Sequence, residues 1–156
     1  MGMLSFLSSL FGNEPETAQK VARSTAVADD ADEVEGLNFR TAIEAHQRWK
    51  ARLADYVAGI SKEQLDVQVI SRDDQCALGK WIHGPGGDHF RDMEGFHHLQ
   101  DRHAHFHVCA GKILGLAQGG RKDVALEELQ TGDYARVSAD VVRELANLYL
   151  SLRQRR

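Results

Sequence analysis

Between Leu37 and Leu152 the apolar residues recur at intervals of three and four, and they never alternate at two over a useful length. That regularity excludes a sheet-built domain, because a half-buried strand needs alternation whereas a helix needs a stripe. "LNFRTAIEAHQRWKARLADYVAGI" sets Phe39, Ile43, His46, Trp49 or Lys50, Leu53 and Val57 at helical spacing, with Gly59 as a stop. Residues 61–71 read as a connection. A second helix is expected over 72–83, with Ser71 and Asp74 as a Ser-x-x-Asp capping pair and "GPGG" as its breaker. A third runs from about Asp88 to Ala117, carrying Phe96, Leu99, His103, Phe106, Ala110 and Ile113 on one side, and "QGGRKD" closes it. "VALEELQTG" gives a short helix. "DYARVSADVVRELANLYLSLRQ" gives a long one, with Val137, Val141, Leu145, Leu148 and Leu152 in register. Short connections favour an antiparallel bundle of four to five helices, so the expected class is all-α.

An apolar stripe has no hydrophobic reason to carry a histidine, yet His46 sits on one, between Ile43 and Leu53. His103 and His107 are four apart and leave their helix on one face, with Cβ atoms roughly 5–6 Å apart, close enough to share one metal ion. Leu99, Phe106, Ala110 and Ile113 flank that pair and turn it inward. His105 and Cys109 repeat the spacing on a nearly opposite face, so His105 should point outward. Taken singly, His46 reads as a satisfied core histidine and Cys76 as a small buried hydrophobe. Three helices that each aim a nitrogen or sulfur donor inward change that reading to a metal site between helices. Three neutral imidazoles and one thiolate form a tetrahedral zinc set, whereas calcium and magnesium want oxygen. His83, His89, His97 and His98 read as surface or loop residues.

His46, then "CALGKW" beginning 30 residues later, then His103 a further 27 on, then His107, resembles the chemoreceptor zinc-binding (CZB) domain. That family carries a three-histidine, one-cysteine zinc core with the cysteine inside a Cys-x-Leu-Gly-x-Trp motif, matched here by Cys76, Leu78, Gly79 and Trp81. The resemblance covers about residues 37–152. It implies a zinc-binding helical bundle, often a homodimer, that regulates chemoreceptors in chemotaxis or diguanylate cyclases in c-di-GMP signalling. Family members are usually fused to an output domain. This chain shows neither a signalling coiled coil nor a cyclase module, so a stand-alone member acting in trans is expected. Gly79 is expected to let a neighbouring helix approach the metal. Trp81 is assigned to core or interface packing and, with the long last helix, to apolar surface for a second copy. Cys76 is also the expected redox-sensing residue, since a zinc-held thiolate is the form that oxidants such as hypochlorous acid attack.

The bulk numbers narrow the rest. At 156 residues and 42% hydrophobic the chain can bury one real core, and a net charge of −4 gives no reason to expect nucleic acid or anionic lipid as a partner. The basic ending Arg153–Arg156 reads as a solvated terminus. Two cysteines are too few for a secreted disulfide scaffold. "MGMLSFLSSLFG" lacks the cation that precedes a signal peptide's apolar run. No apolar stretch reaches the roughly 18 residues that cross a bilayer. A cytoplasmic chain with reduced thiols is expected. Its first part, residues 1–36, divides into an apolar segment, whose residues 4–11 offer at most peripheral membrane contact, and an Ala-, Asp- and Glu-rich linker. Residues 37–153 form the zinc-binding helical domain. No enzyme is expected: four protein donors would close a hydrolytic zinc site, and no His-Glu-x-x-His occurs. A hemerythrin-like di-iron carrier would need histidines on the last helices, and none follows His107. A zinc-stabilised interaction scaffold is the other alternative. Zinc exchange separates it from a sensor.

Overall fold

In the computed structural model, which describes residues 31–156, the stretch expected to end a linker turns back on itself as a hairpin. Glu33–Val34 (β1) pairs antiparallel with Leu37–Asn38 (β2), with Val34 opposite Leu37. The turn takes Glu35 to φ 49° and Gly36 to φ 82°, the left-handed pair that a two-residue hairpin loop requires. Val34 and Leu37 are both buried in the core. Strands of two residues are too short to leave an alternating pattern in a sequence. The apolar segment at 4–11 and the linker through residue 30 lie outside the described residues.

Helix α1, Phe39–Val57, starts where the Asn38 side chain accepts the Thr41 N–H at 2.8 Å, a cap that satisfies one of the helix's orphan donors. It buries Phe39, Ala42, His46, Leu53 and Val57, and ends before Gly59, whose φ of 76° no helix continues through. Residues expected to be a plain connection contain a single turn, α2, Val67–Ile70, capped by the Asp66 side chain on the Gln68 N–H.

The helix expected over 72–83 shrinks to α3, Ala77–Ile82. Local hydrogen bonds explain why. Ser71 does not cap: its Oγ donates to the Val67 carbonyl at 2.6 Å, one turn back. The Asp74 carboxylate is held by both Arg72 guanidinium donors, at 3.0 and 2.8 Å, which leaves it nothing to offer a helix start. Cys76 takes the N-cap position instead, its Sγ accepting the Gly79 N–H at 3.3 Å.

"GPGG" breaks one helix and opens the next. Helix α4, Pro85–Phe90, uses Pro85 in its first turn, where the missing N–H costs nothing. The long α5 therefore begins at Glu94, not Asp88, and runs to Gln118. Helix α6, Lys122–Thr131, and α7, Asp133–Gln154, complete the chain. Helices α1, α5, α6 and α7 form the bundle; α2, α3 and α4 are short pieces strung between α1 and α5. The α5–α7 interface is the most extensive, and α1 packs on α5, α6 and α7. Phe39, Leu53, Leu99, Phe106, Ile113, Val141 and Leu145 fill the interior at 0% exposure. Among the described residues no helix is long and apolar enough to cross a membrane.

Trp81 contradicts one expectation. It is 4% exposed, and its indole N–H donates to the Val34 carbonyl at 3.1 Å, tying α3 to the hairpin. The ring also fills the space left by Gly86, where a Cβ would stand 2.6 Å from it. Trp81 is spent inside the chain and offers no surface to a second copy.

Candidate metal centre

His46 projects from the middle of α1 into the bundle and is buried at 3% exposure. Its Nδ1 lies 2.7 Å from the Ala42 carbonyl, which can only accept, so the ring proton sits on Nδ1. Nε2 then carries the lone pair, and that atom is buried with no hydrogen-bond partner among the described residues. A buried acceptor left empty costs about 1–3 kcal/mol unless something else satisfies it. On α5, His107 is fixed the same way: its Nδ1 lies 2.8 Å from the Ile70 carbonyl at the end of α2, which leaves Nε2 facing inward. His103, at 0% exposure, sits one turn earlier on the same face.

Cys76 closes the group from the start of α3. Its Sγ is 3.2 Å from His103 Nε2 and 3.6 Å from His107 Nε2, and the two imidazole nitrogens are 3.1 Å apart. The four donor atoms of His46, Cys76, His103 and His107 all lie within 4.8 Å of one another. With bonds of about 2.0–2.1 Å to nitrogen and 2.3 Å to sulfur, the edges of a tetrahedral zinc site come to about 3.3–3.6 Å. The three separations among Cys76, His103 and His107 fall within a few tenths of an ångström of those edges. Phe106 walls the group on one side, its ring centroid 5.2 Å from that of His46 and 5.4 Å from that of His107.

Burial sets the protonation states. It pushes His103 down to about 2, helped by the neighbouring imidazoles, and it pushes His46 and His107 down as well. All three rings are neutral at pH 7 and present lone pairs without first losing a proton. Burial raises the Cys76 thiol, while the N–H groups of Gly79 and Leu78 pull it back. A metal therefore has one proton to displace here, that of Cys76. Neutral nitrogen and thiolate sulfur suit zinc, and there is no carboxylate in the group to suit calcium or magnesium.

The other candidates lie elsewhere. His105 is exposed. Cys109 is buried at 7% exposure but lies outside the cluster, and both cysteines are free thiols. His89 bonds the Pro85 carbonyl, His98 faces Glu94 at 3.7 Å, and His97 is exposed. Leu78 is core.

Gly79 works differently from its expected role. A Cβ there would meet the Asp73 carbonyl oxygen at 1.7 Å, so the close approach is made by the chain's own preceding turn, not by another helix. The "GPGG" run is closely packed as well. Besides Gly86 against Trp81, a Cβ on Gly87 would stand 2.6 Å from the Ile82 carbonyl. What sequence reasoning misses is entirely backbone: the Ala42 and Ile70 carbonyls that orient two imidazoles, and the Gly79 N–H on the sulfur. Groups common to every residue leave no signature in a sequence.

Residues 46–114 match the family model for the chemoreceptor zinc-binding domain. The match is narrower than the expected 37–152 and leaves out α6 and α7. Comparisons with curated proteins and with solved structures returned no match. The matched span runs from the first donor, His46, to Leu114, beyond the interior α5 pair, and contains all four members of the cluster. Residues 46–114 are thus similar to the chemoreceptor zinc-binding domain, and the cluster that the helices enclose can hold a metal ion.

Proposed function

We propose that His46, Cys76, His103 and His107 bind one zinc ion, and that the domain is a cytoplasmic sensor regulating a chemoreceptor or diguanylate cyclase in trans. The observation that carries this reading is an asymmetry of burial. The three histidines are 3%, 0% and 4% exposed, whereas Cys76 is only partly buried. A site built solely to brace a fold gains nothing by leaving its thiolate within reach of solvent. A site that reports on zinc or on oxidants needs that access.

Bound zinc holds the Cys76 sulfur as thiolate, the nucleophilic form. The sulfur attacks the chlorine of hypochlorous acid and releases hydroxide. Water then displaces chloride and gives sulfenic acid, a net two-electron oxidation of sulfur balanced by reduction of the chlorine to chloride. Cys76 joins α3 to α1 and α5, so weakening that bond loosens the segment between Ile70 and His83. Because Gly79 and "GPGG" are tightly packed, α3 and α4 should move together, carrying the Trp81 contact to the hairpin with them. A partner seated over that corner would feel the change.

One equivalent of hypochlorous acid, or an excess of chelator, is expected to release zinc and raise hydrogen exchange over residues 71–83 in the same pattern. Cys109→Ser should respond as wild type does. If wild type keeps its zinc and its protection through both treatments, the zinc-stabilised scaffold is the correct reading. We also propose a homodimer, for which α7 supplies exposed Leu150, 57% accessible. Light scattering of zinc-loaded protein at micromolar concentration reads the mass directly. A monomer would remove the dimer from this account.

A further inference from the structure

If zinc comes and goes, it passes the side of the cluster that, among the described residues, is least sealed. The three histidines are sealed and Cys76 is not, so that side is the cysteine's. Two more metal-ligating side chains belong to the same stretch of chain as Cys76. His83 Nε2 lies 3.0 Å from an Asp73 carboxylate oxygen, and the two side chains are 42% and 28% exposed. Both are tied to the sulfur through Gly79. The Asp73 carbonyl packs against Gly79, the His83 N–H bonds the Gly79 carbonyl at 3.0 Å, and the Gly79 N–H bonds Cys76 Sγ at 3.3 Å. The pair is near enough for charge to be felt inside: Asp73 acts on Cys76 and His107, and His83 acts on His103. Asp74 is not equivalent, because Arg72 and Gln75 occupy its carboxylate.

We infer that His83 and Asp73 form a way station for zinc, holding the ion at the mouth between solvent and the four buried donors. An imidazole nitrogen and a carboxylate oxygen 3.0 Å apart are close to the spacing of two ligands on one zinc, about 3.3 Å. Two ligands hold the ion weakly and strip part of its water before Cys76 takes it. A station on the path speeds arrival and departure by the same factor and leaves the equilibrium affinity alone. A group that merely braces the site changes the affinity instead. The inference rests on the zinc reading above and adds the route by which the ion exchanges.

The test uses zinc ion alone, a metallochromic chelator and the full chain. His83→Gln keeps an N–H donor for Asp73 but is a poor zinc ligand. Its association rate, and its dissociation rate into saturating chelator, should both fall by the same factor. The dissociation constant should stay at the wild-type value. His83→Cys, which restores a ligand, should recover both rates. Unchanged rates in His83→Gln overturn the way station, as does a changed dissociation constant without a matching pair of rate changes. Failure of the wild-type chain to take up zinc would instead overturn the zinc reading itself, so the two failures are distinguishable.

Discussion

The purified chain is expected to hold one zinc ion, and Cys76→Ala or His103→Ala is expected to strip it. Structural zinc sites are worth about 10–16 kcal/mol at neutral pH, so one ligand of four stands for about 3 kcal/mol, a hundredfold or more in dissociation constant. The loss should be larger for His103 than the ligand count suggests. Its ring is fully enclosed, and removal opens a void beside the imidazoles of His46 and His107, 5.3 and 4.6 Å away between centroids. His105→Ala should retain zinc, because that side chain is exposed on the other face of α5. Cys109→Ser should retain zinc too, although a hydroxyl in a buried position costs some stability. Elemental analysis after dialysis, with competition against a chelator of known affinity, reads all four variants. Equal loss from the His105 or Cys109 variants would mean that the ligating face of α5 is the opposite one.

The long helices are legible in the sequence because each presents a stripe wide enough to count. His46 stands out for the same reason, as a polar residue on an otherwise apolar line, and the i, i+4 pair on α5 is placed inward by its flanking Leu99, Phe106 and Ala110. Legibility fails between Ser61 and Met93. There the elements are short, none longer than the six residues of α3 and α4, too few for periodicity. Single hydrogen bonds decide the path instead: Ser71 back to Val67, Asp74 to Arg72, Cys76 to Gly79. The cysteine is recognisable as a donor, but its position is not. It sits at the head of α3 as a cap and not within a longer helix. Cys76 is also only partly buried, and the proposed function depends on the difference.

The same placement makes Gly79 the most sensitive backbone position in the site. Gly79→Ala puts a methyl carbon 1.7 Å from the Asp73 carbonyl oxygen, with the Asp73 carbonyl carbon at 2.7 Å and Asp74 Cα at 3.1 Å. All three are backbone atoms, so no side chain can swing away, and either α3 or the 71–75 turn must retreat by more than an ångström. That movement pulls the Gly79 N–H off Cys76 Sγ and withdraws the sulfur from His103 and His107. Forced overpacking of this kind costs about 1–3 kcal/mol, and the zinc affinity should fall with it by tenfold or more. The opposite sign is expected for the same substitution in α5. Gly115 lies inside that helix, and a Cβ added there meets nothing within 4 Å. Gly115→Ala should therefore gain up to about 1 kcal/mol from helix propensity alone and leave zinc untouched. Urea unfolding and zinc competition on the two variants measure both effects. If Gly79→Ala binds zinc as tightly as wild type, the turn that carries Cys76 is freer than its packing implies, and the sulfur is not held in place by Gly79.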